Sequence, residues 1–294
     1  MKPIISIFFT LLFTFLFAQG QEIDPNDLHN LFWKIEHPDS KKVGYLYGTI
    51  HLIDKDKFVL PKEVKKRISK ADVLCVEIEE LQDQEKAMEL SIMKEGHMTD
   101  ILSKVQRDSV YHYTKTEFGM DSATYEKLMG KFKPLVFSQL AFAKLLTSTK
   151  SYDLTISALA KENDIPVVGF ETLEEQMGFF DSMSDELKVE LIMQTVCKND
   201  SSEQEWEKMQ NHYLDQNLPE LLKFGEFKGE MSTFMNTTIS ENRNVTWVTK
   251  LDQEFDKNDL FIAVGAAHLQ GDKGLVNLLM SKGYVLTPIS IQLN

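Results

Sequence analysis

Two copies of Gly-x-x-His stand near opposite ends of this 294-residue chain, each directly after an apolar run. Gly48-Thr49-Ile50-His51 follows Val43-Gly44-Tyr45-Leu46-Tyr47, and Gly265-Ala266-Ala267-His268 follows Leu260-Phe261-Ile262-Ala263-Val264. Imidazoles serve as general acids, general bases and metal ligands near neutral pH. Two of them carried past strand ends by similar turns predict one composite site, assembled from both ends of the polypeptide. A glycine three residues before each histidine permits a sharp turn, or close backbone approach without a Cβ in the way. Two further strand ends present carboxylates: Glu77 in Val76-Glu77-Ile78-Glu79 and Glu171 in Val168-Gly169-Phe170-Glu171. Such a mixed nitrogen and oxygen set suits a divalent ion, with Zn, Mn, Co and Fe all admitted. Each signal alone is weak, since a histidine after a strand is more often a hydrogen-bonded structural group. Glu171 could equally open a helix, where carboxylates are favoured. Convergence carries the reading.

The elements needed to position these groups can be read from pattern. Strands are predicted at Leu31–Glu36, Val43–Ile50, Asp72–Glu79, Pro166–Phe170, Leu260–Val264 and Tyr284–Ile291, each rich in β-branched or aromatic residues. The first two form a hairpin through residues 37–42, and helical sequence separates the later ones, which argues for parallel crossovers. Pro61 before Lys62–Lys70 marks a helix start, Ser184 ahead of Asp185 and Glu186 marks another, and Gly283 suits a left-handed helix end. The predicted fold class is α/β: a central, largely parallel mixed sheet flanked by helices. Helical insertions at about 81–163 and 172–257 form a cap on a single domain spanning 21–294. Ligands bind such sheets at the carboxyl ends of the strands, where His51, Glu77, Glu171 and His268 fall.

Composition bounds the rest. Met1-Lys2 precedes an uncharged apolar run from Ile4 to Phe17 and then Ala18-Gln19-Gly20. This reads as a signal peptide covering residues 1–20 and predicts an exported protein, periplasmic or secreted. The run is shorter than the roughly 20 apolar residues of a membrane span, so no stable membrane insertion is expected. A formal charge of -13 disfavours nucleic acid or an anionic membrane as partner. The two cysteines do not make a disulfide scaffold; Cys75 reads as a buried thiol, with a Cys75–Cys197 bridge the less favoured alternative. Asn199, Asn236 and Asn244 each open an Asn-x-Ser/Thr string. His29, His37, His97, His112 and His212 are expected on the surface, and Arg243-Asn244 on a solvated helix face. No zinc helix of the His-Glu-x-x-His type, serine elbow, phosphate loop or dinucleotide fingerprint is present.

Taken in order, these segments resemble a known family. Leu31-Phe32-Trp33-Lys34-Ile35 leading to Tyr45-Leu46-Tyr47-Gly48-Thr49-Ile50-His51-Leu52, then Ala71-Asp72-Val73-Leu74-Cys75-Val76-Glu77, is similar to the opening of the TraB/PrgY/GumN family, which includes the Tiki proteases. Asp153, Gly169-Phe170-Glu171-Thr172-Leu173-Glu174-Glu175-Gln176, Arg243-Asn244 and Val264-Gly265-Ala266-Ala267-His268-Leu269-Gln270-Gly271 continue the match. The resemblance implies a metal-dependent peptidase in which His51, Glu77 and His268 form the active site, with Arg243 and Glu171 in support. On that reading the histidines and a carboxylate hold a divalent ion that activates water. Glu77 is then third ligand or general base, and Arg243 meets the oxyanion or a substrate carboxylate. A variant dispenses with metal and lets one histidine deprotonate water. The rival is a non-catalytic protein that sequesters a peptide, metal or haem.

Overall fold

The computed structural model describes residues 29–37, 39–79, 83–144, 146, 148–197, 202–223 and 227–293. The expected signal segment and the Asn199 sequon lie outside the described residues.

The apolar runs become strands where the sequence places them. Strands β1 (Phe32–Glu36) and β2 (Val43–Thr49) form the expected hairpin, with Trp33 opposite Leu46 and Glu36 opposite Val43. The short β3 (Ile53–Asp54), helix α1 (Lys62–Ile68) and β4 (Val73–Ile78) follow. The first insertion carries α2 (Gln84–Leu90), α3 (Lys104–Phe118), α4 (Ser122–Leu128) and α5 (Pro134–Ala143) before β5 (Thr149–Lys150), α6 (Tyr152–Glu162) and β6 (Val167–Glu171). Next come α7 (Leu173–Asp181), α8 (Asp185–Val196), α9 (Ser202–Leu214), α10 (Leu218–Leu222), α11 (Gly229–Phe234) and α12 (Asn242–Phe255). The chain ends with β7 (Leu260–Gly265), α13 (Leu275–Ser281) and β8 (Val285–Pro288).

Six strands form one mixed, mostly parallel sheet in the order β6-β4-β7-β2-β1-β8, with helices around it. Neighbours from β6 through β2 run parallel, and β1 is antiparallel to both β2 and β8. Strands β4 and β7 are buried almost throughout, as parallel strands covered on both faces must be. A separate pair, β3 with β5, sits outside this sheet; two-residue strands leave no hydrophobic period to read, and the sequence missed both.

Local chemistry explains where the helices start and stop. Ser103 and Gln106 form a capping box that opens α3, and Gly119 ends it at φ +68°. Pro61 precedes α1 as expected, Ser184 accepts from Leu187 N–H at the head of α8, and Gly283 adopts the left-handed conformation at φ +89°. Cys75 is a buried free thiol inside β4 and Cys197 is exposed and free, so no bridge joins them.

Two expectations fail for reasons of packing. Arg243 and Asn244 are buried, not solvated, and burial removes Asn244 as a glycosylation acceptor. His37 is not a free surface group: its ring packs edge-on against Tyr284 with centroids 5.1 Å apart. His97 is likewise partly buried, its Nδ1 2.5 Å from a Glu126 oxygen. His29 and His112 are exposed.

Candidate active site

Sheet register brings the two motifs together. In the parallel β2–β7 ladder Gly48 lies opposite Val264 and Thr49 opposite Gly265. The polypeptide therefore leaves two adjoining strands at the same level, about 4.8 Å apart, and each imidazole follows within a turn. Neither motif glycine has positive φ, so close approach is what they provide. A Cβ on Gly48 would lie 2.9 Å from Leu269 Cδ2 and 3.2 Å from Ala266 Cα. One on Gly265 would lie 3.2 Å from Glu77 Oε1.

Glu77 is the centre. From the next strand, β4, its Oε1 accepts the Gly265 N–H at 2.8 Å and its Oε2 accepts Arg243 Nη2 at 2.8 Å. Burial alone would raise this carboxyl, but the charges of His268, Arg243 and His51, with the Gly265 N–H, outweigh it and hold the pKa down at about 2.

Arg243 rises from the first turn of α12. The preceding helix widens into a π-helical segment, Met235–Glu241, in which Asn242 N–H reaches back to Thr237 O; such segments recur at functional sites. Arg243 Nε and Nη2 grip both oxygens of Glu171 at 2.8–3.0 Å, Nη2 also donates to Glu77, and Nη1 donates to Ile239 O at 2.9 Å. The last direction, also Nη1, faces His268 Nε2 at 3.4 Å. Trp247, one turn on, lies under the guanidinium at 4.7 Å and donates its indole N–H to Glu171 at 2.8 Å. Glu171 is therefore the buried counter-ion of Arg243. The cap of α7 is Thr172, which exchanges hydrogen bonds with Glu175.

The two histidines differ. His268 is buried, with Nδ1 2.6 Å from Asn244 Oδ1, Nε2 3.9 Å from Glu77 Oε1, and its ring 4.4 Å from the Trp247 ring. Burial lowers its pKa to about 4, Glu77 opposing and Arg243 assisting. His51 leaves 76% of its side chain exposed, and its Nδ1 lies 3.0 Å from Asp153 Oδ2. That hydrogen bond raises its pKa to about 9 against the cost of desolvation. The charges of Glu77 and Arg243 also act on His51, so all four groups share one electrostatic field.

All five expected residues, His51, Glu77, Glu171, Arg243 and His268, are thus brought to the carboxyl edge of β6, β4, β7 and β2. The sequence assigned no role to Asp153, Asn244, Thr49 or Trp247, although Asp153 and Arg243-Asn244 fall within the family resemblance. For Asn244 a signal existed: Trp247, Val248, Leu251 and Phe255 form the buried stripe of α12, and steps of three or four residues carry it back to Arg243 and Asn244. Asp153 has no local signal, because its partners are 102 and 104 residues away.

The expected ligands His51, Glu77 and His268 do not assemble a metal site in this arrangement. Among the described residues no three His, Cys, Asp or Glu side chains gather to hold an ion. Both Glu77 oxygens accept protein N–H groups, and His268 Nε2 faces a guanidinium. A divalent ion between them would share that space with a permanent cation, like charge on like.

Among the described residues no helix is long and apolar enough to cross a membrane. Comparison with curated proteins found no match, nor did comparison with solved structures. The family model for TraB/PrgY/gumN proteins matches residues 31–288, from the first strand of the sheet through the last, and the chain belongs to the TraB/PrgY/gumN family.

Proposed function

We propose that this protein is an exported hydrolase acting on peptide bonds, with chemistry performed by His268, Glu77 and His51 and positioned by Arg243 and Glu171. The observation that carries the reading is the contrast between the histidines: His268 is buried against an amide, which pushes its pKa down, and His51 is exposed beside the Asp153 carboxylate, which pushes its pKa up. Environments that drive like groups to opposite proton states divide acid from base. His268 carries its lone pair on Nε2, which faces Arg243 Nη1 at 3.4 Å, and accepts a proton from water there. His51 returns a proton to the leaving amine. Glu77, fixed as an anion, stabilises the imidazolium that forms on His268.

Arg243 has acceptors for every N–H, so meeting an oxyanion requires release of its longest contact, the 3.4 Å approach to His268. Water displaces that contact as it approaches His268 Nε2, and the imidazolium formed by the proton transfer then repels the guanidinium, so the contact does not re-form. The oxyanion and the freed Nη1 proton then arise together.

The test is cleavage of a peptide library by purified full-length chain, with and without chelator, alongside His51→Ala and His268→Ala. Each substitution is expected to lower kcat/KM by about 10²–10⁴-fold, and cleavage is expected to survive chelation. Loss on chelation with recovery on adding Zn, Mn, Co or Fe would restore the metal-dependent mechanism. No cleavage, with a Soret band on haem titration that vanishes in the same variants, would establish sequestration instead.

A further inference from the structure

We propose that Asp153 and Asn244 are the positioning residues of the two motif histidines, each accepting an Nδ1–H so that Nε2 is left as the working nitrogen of both rings. The inference deepens the proposed hydrolase and rests on it.

For His268 the assignment follows from counting donors. The Asn244 amide nitrogen lies 3.2 Å from His268 O and 2.8 Å from Lys273 O, and carbonyls only accept. The NH₂ group is committed to both, so the atom facing Nδ1 at 2.6 Å is the amide oxygen. Nδ1 must donate, and Nε2 carries the lone pair. For His51 the partner is a carboxylate, again an acceptor, at 3.0 Å from Nδ1. The second Asp153 oxygen accepts the hydroxyl of buried Thr49 at 2.8 Å, which pins the carboxylate from the motif's own strand.

The surrounding elements are built for this. Asp153 lies in the first turn of α6, which Ser151 caps and β5 leads into. Strand β5 pairs with β3, which begins two residues after His51, with Ile53 opposite Lys150 and Asp54 opposite Thr149. The two-strand ladder thus splints the His51 turn to the segment carrying Asp153. Asn244 is held by the first turn of α12, beside Arg243. One histidine is backed by a carboxylate and the other by an amide, so repeated motifs receive different support.

Full-length chain labelled with ¹⁵N-histidine tests this without any substrate, because long-range ¹H–¹⁵N spectra report which ring nitrogen carries the proton. In the wild type at pH 7 His268 is expected in the Nδ1–H form. Asn244→Leu, which offers no acceptor, should move it to the Nε2–H form or a mixture, whereas Asn244→Asp should retain Nδ1–H. Asp153→Asn keeps its oxygen on Thr49 and turns its NH₂ toward His51, so neutral His51 should switch to Nε2–H. In peptide cleavage Asp153→Asn and Asn244→Leu should lower kcat by about 10²–10⁴-fold with KM little changed, as a wrong tautomer does elsewhere, and Asn244→Asp should recover at least a tenth of wild-type kcat. Wild-type His268 in the Nε2–H form, or tautomers unchanged in both variants, overturns the proposal; the wild-type spectrum decides it even if Asn244→Leu fails to fold. Expected tautomers in a chain that cleaves nothing would sink the hydrolase and leave the positioning intact.

Discussion

Arg243 joins two carboxylates that could not otherwise sit buried side by side. Removing one partner from such a group strands the remainder in low dielectric, which costs about 3–5 kcal/mol. Glu171→Ala is expected to destabilise the fold by that amount in urea denaturation, since it also orphans the Trp247 indole N–H. A change below 1 kcal/mol would mean that water replaces the carboxylate and the site is open. The pH dependence of stability follows from the same residues. His268 and Glu77 have folded pKa values of about 4 and about 2, below their ordinary ranges. Between about 6.5 and 2 the unfolded chain therefore binds more protons at these groups, and stability falls as the medium is acidified. His51 has the opposite sign: its contribution is complete below about 6.5 and fades as pH rises through about 9, weakened by solvent exposure. Urea midpoints from pH 3 to 10 should peak near 6.5, and a profile still rising between 7 and 10 would contradict the His51–Asp153 pairing. The residue types of the site could be read from the sequence because histidines and acids after strands are conspicuous. Their pairing could not: the apolar stripe of α12 marks Asn244 as facing inward and the family resemblance includes Asp153, but neither says which histidine each residue meets until the fold brings them together.

At the level of elements, register does the work that distance along the chain obscures. His51 and His268 come to one edge of the sheet because β2 and β7 are parallel neighbours with Thr49 opposite Gly265. That pairing was foreseen only as a convergence of strand ends; the order of strands within a parallel sheet leaves no mark in local pattern. The long strands were readable from β-branched and aromatic runs, whereas β3 and β5 exist only through mutual pairing. The glycines translate register into a prediction. Gly48→Ala forces a methyl against Leu269 Cδ2 at 2.9 Å and the Ala266 backbone at 3.2 Å, and overpacking of this kind costs about 1–3 kcal/mol. The strand end should move away from β7, so the expected result is a lowered urea midpoint together with loss of peptide cleavage. A variant of unchanged stability and activity would show that the two motif turns are not packed against one another.

Across the whole molecule, the two helical insertions share a core that is separate from the sheet. Met98, Val110, Tyr125 and Phe137 come from the first insertion and Ile192 from the second, and they bury one another in a single cluster. Ser138 and Thr195 hydroxyls meet at 2.7 Å across the same junction, and Lys133 reaches Asp181. Composition foretold helices in both stretches, but their mutual packing depends on apolar faces more than 50 residues apart, which no local period reveals. The shared cluster ties α3, α4, α5 and α8 to one another, whereas α6, α9, α10 and α12 of the same insertions pack into the core of the sheet. Ile192 is fully buried, so Ile192→Ala should cost about 2–5 kcal/mol. Because the cluster is shared, the loss should spread: amide exchange is expected to accelerate in α3, α5 and α8 together while β4 and β7 keep their protection. Acceleration confined to α8 would make the insertions independent, and equal acceleration in the strands would merge cap and sheet into one cooperative unit. The intermediate pattern is what two cores predict, with the strands continuing to hold His51, Glu77 and His268 at one edge while the helices of the shared cluster open.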